Sequence, residues 1–512
     1  VGFVETSARA LDLTGVQVDT AGAPGQPAGS WLIDPFNITV LPCCDTGESS
    51  DPVLDSPFDP VVADSIVFDS TISAALDAGS NVRIHTGPAA AEEIGGDIVI
   101  GDGVSILRQE ATGGALELRF DANQSISGGF FSIASTAAPL NLVFNANANG
   151  FRPEAGFIRL GGNAEVTSSL RTLGGSVRFI GQSDSANGAA SNAFGSGILI
   201  DGLEIDTRDA NLGGSGEVVM RGRADLSFSS EDAPDSGVKV QNTRIETASG
   251  QVLIQGSVAG TGSFGLYGVL IGQSEIATGA GTLGLEGTAL PGGNGGLQVS
   301  GSSLVSQSGN IRLAGQGQAS DFGLAVFQST LSTSAGSFEL DGTTDAGTVG
   351  AVVSASQIGA GSGDTLIRGR TGSGQFGLLL ASSDVGADSG DLTLIGLAGQ
   401  ADAAPLARIG LAMAGGSLVA GQGDIDLRGR VAAASETDGS SSAGLLFGFG
   451  EIGSGEVRAD TGNVSLAGEA AEGSSVAGLR FADNGASVFA GTRLLIRAAS
   501  GDPAQPALED RK

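Results

Sequence analysis

A three-part unit occurs twice in succession in the middle of the chain, with the same internal spacing each time. Residues 323–342 contain an apolar run ending at Val326, a single Leu331, and an alternating strand pattern that closes on Gly342. The segment 350–369 repeats apolar residues and glycines at the same offsets, 27 residues later. Self-similarity at a short fixed period is typical of repeat proteins, in which each unit stacks on its neighbours.

Each unit contains short runs in which apolar residues alternate with small or polar ones, and glycine bounds these runs. Such alternation is typical of extended strands with one buried face. The repeats offer no glycine-free run of about ten residues, which a helix would need. The sequence therefore predicts an all-β solenoid whose coils each contain about three short strands and three corners.

The composition is rich in glycine and acidic residues. Glycine supplies 86 of the 512 residues, and 40% of the residues are hydrophobic and patterned, which favours an ordered repeat over a disordered chain. With 25 Lys and Arg against 56 Asp and Glu, the net charge of −31 predicts no nucleic-acid partner, because such binding depends on basic side chains. We interpret the acidity as an aid to solubility, in preference to a dedicated cation site.

Cysteine and histidine are too few for a disulfide framework or a zinc site. Cys43 and Cys44 are adjacent, and a bridge between Cα atoms about 3.8 Å apart would be strained. His85 is the only histidine. No apolar run approaches the roughly 20 residues of a membrane span, which predicts no transmembrane segment. Because the chain opens on Val1 in mid-pattern without a signal peptide, we expect it to be a processed or excised piece.

A series of linked motifs runs through the first 150 residues. They are Gly2-Phe-Val-Glu-Thr-Ser7, Leu11-Asp-Leu13, Val18-Asp-Thr20, Trp31-Leu-Ile-Asp-Pro35, Ile72-Ser-Ala-Ala-Leu76, Gly79-Ser-Asn-Val82-Arg-Ile84, Gly96-Asp-Ile98-Val-Ile100 and Leu140-Asn-Leu-Val-Phe144-Asn-Ala146. By these motifs, the segment resembles the filamentous-haemagglutinin-like exoproteins (adhesins) of bacterial two-partner secretion. It departs from that pattern at Ala8, where the family has Gly, and in an acidic, Pro-rich insertion at 42–60, which we expect to be an exposed loop.

The resemblance implies a right-handed parallel β-helix and a secreted protein associated with the bacterial cell surface. It further implies an outer-membrane transporter as the partner during secretion, and an adhesive role. On this basis, the chain divides into an N-terminal β-helix part at 1–150, a repeat β-helix with a minimum period of 27 residues at 151–495, and a C-terminal tail at 496–512.

Three sets of positions define the repeat. The first strand of each coil is expected to begin at Gly156, Gly175, Gly216, Gly250, Gly281, Gly309, Gly336, Gly363, Gly390, Gly423 and Gly462. The second strand is expected to begin at Gly197, Gly237, Gly268, Gly296, Gly323, Gly350, Gly377, Gly410 and Gly444, each followed eight positions later by one of Ile205, Ile245, Ile276, Leu304, Leu331, Ile358, Val385, Leu418 and Ile452. The register also predicts a buried column of Ile271, Val299, Val326, Val353, Leu380, Met413, Phe447 and Phe481.

The spacing between these sets indicates which corner is free to vary. The gap that leads into each first strand is constant from Ile245 to Leu418, whereas the gap that follows the first strand varies in length. Equivalent corners of a solenoid lie above one another, so the variable corners are expected to form one ridge. The longest of them are 182–196, 223–236, 397–409 and 430–443.

Several residues are candidates for a functional role. A Gly-Asx step that opens strands could form a Ca²⁺ ladder, although caps on nearby backbone groups are the favoured interpretation. Arg-Gly-Arg pairs are expected to form surface ladders with acidic neighbours, Trp31 is expected in or near the core, and His85 is expected to be exposed at a strand end without a nucleophile. The Gly-Asx positions are Asp97, Asn310, Asp364, Asp391, Asp424 and Asn463, and the arginines are Arg221, Arg223, Arg368, Arg370, Arg428 and Arg430.

These candidates give no catalytic residue, no cofactor-binding residue and no metal ligand. The sequence therefore favours a secreted, rod-like, non-enzymatic adhesin that attaches through repeated corner loops, to a receptor that the sequence does not identify. Two alternatives stay open. One is a polysaccharide-active β-helix enzyme, a lyase or hydrolase, and the other is a structural stalk for a module outside this chain.

Overall fold

The fold is a parallel β-solenoid in a computed structural model that describes residues 2–13, 15–23, 26–43, 64–87, 95–148, 156–162, 167–181, 190–192, 196–209, 214–226, 236–260, 266–318, 320–399, 407–432, 442–448, 455–470, 476–482, 486–499 and 508–511. The chain packs as two compact units, a first unit of residues 1–225 and 238–253 and a second unit of residues 226–237 and 254–512. The boundary expected at 150 was drawn from sequence likeness, and it stays a prediction.

The first twenty strands and one helix lie mainly in the first unit. They are β1 (Phe3–Ser7), β2 (Ser30–Asp34), β3 (Asn37–Leu41), β4 (Asp64–Phe68), α1 (Asp69–Asp77), β5 (Asn81–His85), β6 (Ile98–Ile100), β7 (Val104–Arg108), β8 (Leu116–Asp121), β9 (Ile126–Gly128), β10 (Phe131–Ser135), β11 (Leu140–Ala146), β12 (Ile158–Leu160), β13 (Ser168–Arg171), β14 (Val177–Gly181), β15 (Ala190–Asn192), β16 (Ile198–Asp201), β17 (Leu203–Asp206), β18 (Val218–Leu226), β19 (Ser236–Gln241) and β20 (Arg244–Thr247).

The remaining strands lie mainly in the second unit. They are β21 (Val252–Gly260), β22 (Tyr267–Gly272), β23 (Glu275–Thr278), β24 (Leu283–Ala289), β25 (Gly295–Ser300), β26 (Ser303–Ser306), β27 (Ile311–Gly317), β28 (Phe322–Phe327), β29 (Thr330–Thr333), β30 (Phe338–Thr344), β31 (Val349–Ser354), β32 (Gln357–Ala360), β33 (Thr365–Thr371), β34 (Phe376–Ala387), β35 (Leu392–Ala398), β36 (Ile409–Ala420), β37 (Ile425–Val431), β38 (Ala443–Phe447), β39 (Glu456–Ala459), β40 (Asn463–Ala470), β41 (Ala477–Ala482), β42 (Ser487–Ala490), β43 (Arg493–Ala499) and β44 (Leu508–Arg511).

Each coil contributes three successive strands, and each strand pairs in parallel with its equivalent in the next coil. In the second unit, β27 pairs with β30, β28 with β31, and β29 with β32. The predicted all-β parallel β-helix with about three strands per coil is therefore confirmed. In two coils the second and third strands merge into the single long strands β34 and β36, which bend at Ser382 and at Gly415 and Gly416, where φ is positive.

The predicted core column is confirmed in the second unit. Its members pair one coil after another, as Ile271 with Val299, Val299 with Val326, Val326 with Val353, Val353 with Leu380, Leu380 with Met413, Met413 with Phe447, and Phe447 with Phe481. All but Phe481, which is partly exposed, are fully buried. In the first unit a comparable interior stack places Phe144 between Phe120 and Phe179, with ring centroids 5.1 Å apart on both sides. Trp31 is also fully buried, as expected, and its indole N–H donates to Thr6 Oγ1 at 3.1 Å.

Two of the predicted repeat positions are wrong. Gly156 was expected to open a first strand, but the strand that follows it, β12, pairs with the second strand β16. Leu418 pairs with Val457 instead of the expected Ile452, which lies outside the described residues. Five additional residues therefore precede this strand, and the constant spacing is kept between Val457 and Gly462.

Glycines bring two strands of the same coil into contact inside the second unit. A Cβ atom added to Gly369 in β33 would lie 2.1 Å from the carbonyl oxygen of Gly377 in β34, closer than any side chain tolerates. The first-strand pattern was expected to end at this glycine, but the strand continues to Thr371. The same contact occurs between Gly256 and Gly268, Gly287 and Gly296, Gly315 and Gly323, Gly342 and Gly350, Gly396 and Gly410, Gly429 and Gly444, and Gly468 and Gly478.

A ladder of serine side chains links the same corner of successive coils. Ser302 Oγ donates to the carbonyl oxygen of Ser300 at 2.8 Å and accepts the N–H of Ser274 in the preceding coil at 3.1 Å. The arrangement recurs at Ser329, Ser356 and Ser383. Serine occurs two residues before each apolar position from Ile276 to Val385, so this periodic signal was present in the sequence.

Helix α1 covers the side of β7 that has no strand partner among the described strands. Polar residues four apart on the helix accept every second N–H group of the strand, because four helical residues rise about 6 Å and two strand residues about 6.6 Å. The hydrogen bonds are Ser105 N–H to Asp69 Oδ2 at 2.8 Å, Leu107 N–H to Ser73 Oγ at 3.0 Å, and Gln109 N–H to Asp77 Oδ1 at 2.6 Å. The helix thereby satisfies an edge that would otherwise recruit another strand.

We expect Gly369→Ala to lower the free energy of unfolding by about 2 kcal/mol or more, because the new methyl group meets rigid backbone. Gly359→Ala is the matched control, since a Cβ atom there meets nothing within 4 Å. That control is expected to be neutral or to stabilise by about 0.4–1 kcal/mol. Thermal denaturation and hydrogen exchange in β33 and β34 measure the difference, and equal stability of the two variants would contradict the glycine contact.

Candidate functional site

Four of the Gly-Asx positions of the second unit, Asp364, Asp391, Asp424 and Asn463, form a continuous ladder at the entry to the first strands, and Asn310 makes a separate rung. Asp364 Oδ1 accepts the N–H of Asp391 at 2.9 Å, and Asp391 Oδ1 accepts the N–H of Asp424 at 2.8 Å. Asp424 Oδ1 then accepts the N–H of Asn463 at 2.7 Å, and Asn310 Oδ1 accepts that of Ser337 at 2.9 Å. The side chains therefore cap backbone groups, but the capped group lies in the next coil and not in the local turn.

Hydrogen bonds of the same kind occur in the first unit at residues that the Gly-Asx rule did not find. Asn81 Oδ1 accepts the N–H of Glu117 at 2.8 Å, and Asn141 Oδ1 accepts that of Ser176 at 2.9 Å. Neither asparagine follows glycine, so only the strand register identifies them. Asp97 belongs to a different ladder, in which Asn37 Oδ1 accepts its N–H at 3.0 Å and its own Oδ1 accepts that of Ser125 at 3.0 Å.

The ladder has few features of a calcium site. Each of its carboxylates already accepts a backbone hydrogen bond, and successive carboxylates lie one coil apart instead of converging. Within the described ranges, no three His, Cys, Asp or Glu side chains are placed to hold a metal ion.

We expect Asp391→Asn to leave stability unchanged, because the amide oxygen still accepts the N–H of Asp424. Asp391→Ala removes that acceptor and is expected to cost about 0.5–1 kcal/mol. Melting temperatures of the parent and both variants, measured in Ca²⁺ and in EDTA, separate capping from metal binding. A Ca²⁺-dependent stabilisation of the parent that Asp391→Asn abolishes would favour a metal ladder instead.

His85 lies in a polar column that crosses the coils of the first unit. The column consists of Ser7, Asp34, His85, Asp121 and Asn145, which pair one after another in the strand register or adjoin that register. His85 Nδ1 lies 3.0 Å from Asp34 Oδ1, and the hydroxyl of Ser7 donates to Asp34 Oδ2 at 3.2 Å. The expectation that His85 is exposed is wrong, because only 17% of its side chain is accessible.

This column does not have the order of a nucleophilic triad. The carboxylate of Asp34 accepts from both Ser7 and His85, whereas activation of a serine requires the imidazole to accept from the hydroxyl. The other nearby carboxylate, Asp121, is fully buried and saturated by its neighbours. Its partners are Arg83 Nε at 2.6 Å, Arg119 Nε at 2.7 Å and Asn145 Nδ2 at 2.8 Å.

Asp121 is held as a carboxylate by these partners. Burial by itself would raise the pKa of Asp121, but Arg119, Asn145 and Arg83 together hold it below its ordinary value. A paired carboxylate of this kind stabilises the folded state and is a poor general acid, which would need a raised pKa near neutrality. The geometry therefore gives Asp121 a structural role.

Asp121→Asn is expected to lower the free energy of unfolding of the first unit by about 2–3 kcal/mol at pH 7, because charge-assisted hydrogen bonds are lost. The stabilisation by a lowered pKa is complete above the unfolded value of about 3.9 and disappears as pH falls through the folded value. The difference from the parent should therefore narrow below about pH 4. Glu110→Gln is the control, because this carboxylate is exposed and makes no side-chain hydrogen bond or ion pair within the described chain. A pH-independent difference between Asp121→Asn and the parent would contradict this account.

Arginines on the outer face of the second unit pair with acidic neighbours. Arg312 lies between Glu286 at 2.6 Å and Glu339 at 3.3 Å across coils. Of the predicted Arg-Gly-Arg residues, Arg368 lies 3.2 Å from Glu339 in the preceding coil, and Arg428 pairs with Asp426 in its own strand. These side chains are about half exposed, so each pair contributes about 0–1 kcal/mol, and the ladder is a solvated surface.

A shallow depression of about 410 Å³ lies on the outer surface of the first unit. Glycines of β9 and the adjoining corners form much of its floor, and Asp102 and Arg159 stand at its sides. Asp102 Oδ1 is already occupied by the N–H of Phe130 at 2.8 Å. The depression thus offers one cation and backbone groups, without the two converging carboxylates of a glycoside hydrolase.

The variable corners of the second unit begin at strand ends that are hydrogen-bonded from one coil to the next. Gly372 N–H donates to Thr344 O at 2.9 Å, Gly399 N–H to Thr371 O at 2.8 Å, and Ala432 N–H to Ala398 O at 2.8 Å. After Thr344 the next strand begins at Val349, whereas after Ala398 it begins at Ile409 and after Val431 at Ala443. The number of residues in the corner therefore varies while the register of the flanking strands stays fixed, as the ridge prediction requires.

Much of the four longest predicted corners lies outside the described residues, as do 44–63, which include Cys44 and most of the insertion. Two flanking parts are strands instead of loop: β15 lies within 182–196 and pairs with β18, which extends to Leu226 and so includes the start of 223–236. Cys43 is described, and its N–H donates to Asp69 Oδ1 at 2.8 Å.

No helix among the described residues has the length and apolar character needed to cross a membrane. Comparisons with known proteins found no match, either to a protein-family model or to a curated sequence. The likeness of residues 1–150 to filamentous-haemagglutinin-like exoproteins therefore stays a prediction from the motifs.

Proposed function

We propose that this chain is a secreted, non-enzymatic adhesin of the bacterial cell surface, exported by an outer-membrane transporter and attached through its ridge of variable corners. The observation that carries the proposal is the contrast between fixed and variable segments in the second unit. Strands β33, β35 and β37 keep one register, while the corners that follow them differ in length. Loops that vary on a rigid scaffold are the usual place for binding residues.

The composition of these corners suits weak, repeated contacts. The segment 432–442 consists mainly of Ala, Ser, Thr, Glu, Asp and Gly, with no aromatic residue to anchor a partner in a deep pocket. Polar contacts of this kind become effective when many act together, because each bound corner raises the effective concentration of the next. The ladders and the glycine contacts described above are formed by residues outside 433–441, so we expect changes in that segment to leave the coils intact.

The polar column around His85 favours the adhesive role over the enzyme alternative. Its serine, histidine and carboxylates are engaged in bonds that stabilise the coils, as described above. A polysaccharide lyase or hydrolase would instead need an accessible base or a pair of accessible carboxylates facing one cleft. The secreted location and the transporter partner rest on the motifs of residues 1–150.

The ridge is tested by grafting a short corner into a long one. Replacing 432–441 with Gly-Ser-Gly, residues 372–374 of the corner that joins β33 to β34, keeps Ser442, whose hydroxyl accepts the N–H of Arg408 at 2.9 Å. Circular dichroism and melting should be unchanged, since Val431 and Ala443 occupy positions equivalent to Thr371 and Phe376. Binding to a glycan array and to cultured cells is expected to weaken several-fold. A variant with the order of 432–441 reversed keeps length, composition and Ser442, and it separates specific contacts from the bulk of the corner.

A depolymerisation assay on the same purified chain distinguishes the alternatives. Bound glycan without cleavage supports the adhesin, whereas cleavage supports the enzyme. If neither occurs, a stalk for another module is favoured. Unchanged attachment after all four long corners have been shortened would remove the ridge from the account.

A further inference from the structure

Arg408 is a buried cation at the foot of one variable corner. It immediately precedes β36, and only 4% of the residue is exposed. Its guanidinium makes one hydrogen bond in the described chain, from Nη1 to the carbonyl oxygen of Gly399 at 3.0 Å. No carboxylate within the described residues pairs with it, although the chain contains 56 Asp and Glu.

Arg108, another buried arginine, shows how this fold satisfies the hydrogen-bond donors of a purely structural guanidinium. Arg108 donates to four carbonyl oxygens, through Nε–H, Nη1–H and both N–H groups of Nη2. The acceptors are Glu110 at 3.2 Å, Pro139 at 2.8 Å, Thr112 at 2.9 Å and Gly114 at 2.5 Å. A guanidinium has five N–H donors, so most of those of Arg408 have no acceptor among the described residues.

Arg408 lines a small cavity of about 160 Å³. The corners 346–348 and 373–375 of the two preceding coils complete its lining and contribute the hydroxyl of Thr348 and the amide of Gln375. Among the described residues, no acidic side chain lines it. Burial lowers the pKa of Arg408. Within the described chain, the site is thus a buried positive charge without a carboxylate partner, beside polar side chains.

We propose that this cavity binds a single oxyanion group, a sulfate, phosphate or carboxylate, with the guanidinium of Arg408 as its principal ligand. The planar fork of arginine matches two oxygens of such a group, and burial strengthens the interaction. The cavity is smaller than the roughly 300 Å³ or more of sites for drug-sized ligands, so one charged group fits and a nucleotide does not. The proposal does not depend on the adhesive role.

The test uses the full chain and titration with sodium sulfate, sodium phosphate or sodium glucuronate at constant ionic strength, followed by calorimetry and thermal shift. The parent is expected to show saturable binding that chloride does not reproduce. Arg408→Gln should weaken it at least tenfold. Arg430→Gln removes an exposed arginine of the same unit, causes the same change in charge, and should bind as the parent does.

A second variant keeps Arg408 and its bond to Gly399. Ala346 is exposed at the mouth of the cavity, so Ala346→Glu supplies an internal carboxylate to the guanidinium and is expected to abolish oxyanion binding while the chain stays folded. Tighter binding of glucuronate than of the inorganic ions would identify an acidic sugar, and the reverse order a free inorganic oxyanion. Absence of saturable binding by the parent, or binding by Ala346→Glu equal to the parent, would overturn the proposal.

Discussion

The close approach of two strand backbones inside each coil governs the cross-section of the second unit. At Gly369 and Gly377, as at the seven equivalent pairs, the first and second strands touch with no side chain between them. The apolar column from Ile271 to Phe447 fills the interior. Because a methyl group does not fit between the two strands, the coils that carry this glycine pair have nearly the same cross-section. Coils of the same cross-section can stack in parallel register.

Hydrogen-bonded side chains then secure the corners that the backbone pairing leaves open. In the Asx ladder, the side chain of one coil accepts an N–H of the following coil, as Asp391 does from Asp424. In the serine ladder the direction is reversed, since Ser302 accepts from Ser274 in the preceding coil. These two ladders and the buried Arg108 satisfy backbone groups at bends, and the helix α1 satisfies those along the free edge of β7.

Features that recur at a fixed offset could be predicted from the sequence, and features that occur once could not. The column through Val326 and Val353 followed directly from the 27-residue spacing. Ile452 was misplaced because an insertion broke that spacing, and only the pairing of Leu418 with Val457 reveals it. Gly156 was misassigned because first and second strands share the pattern of alternating apolar residues after glycine.

The candidate sites depended even more on three-dimensional neighbours. The Gly-Asx step was visible in the sequence, but its partner lies 27 or more residues away, so a local turn and a ladder between coils have the same sequence signal. His85 gave no sign of its contact with Asp34, and Arg408 gave no sign of its burial. Both properties arise only when separate coils are placed side by side.

The separation of register from corner length makes each coil of the second unit an exchangeable module. Between Thr371 and Phe376, or between Ala398 and Ile409, the chain leaves and re-enters the same positions whatever its path. Duplication or loss of one whole period in the gene would therefore add or remove a coil without shifting any ladder, and recombination between periods would exchange corners among coils. Such a protein can change its surface by copying and shuffling its own parts, while its interior stays the same.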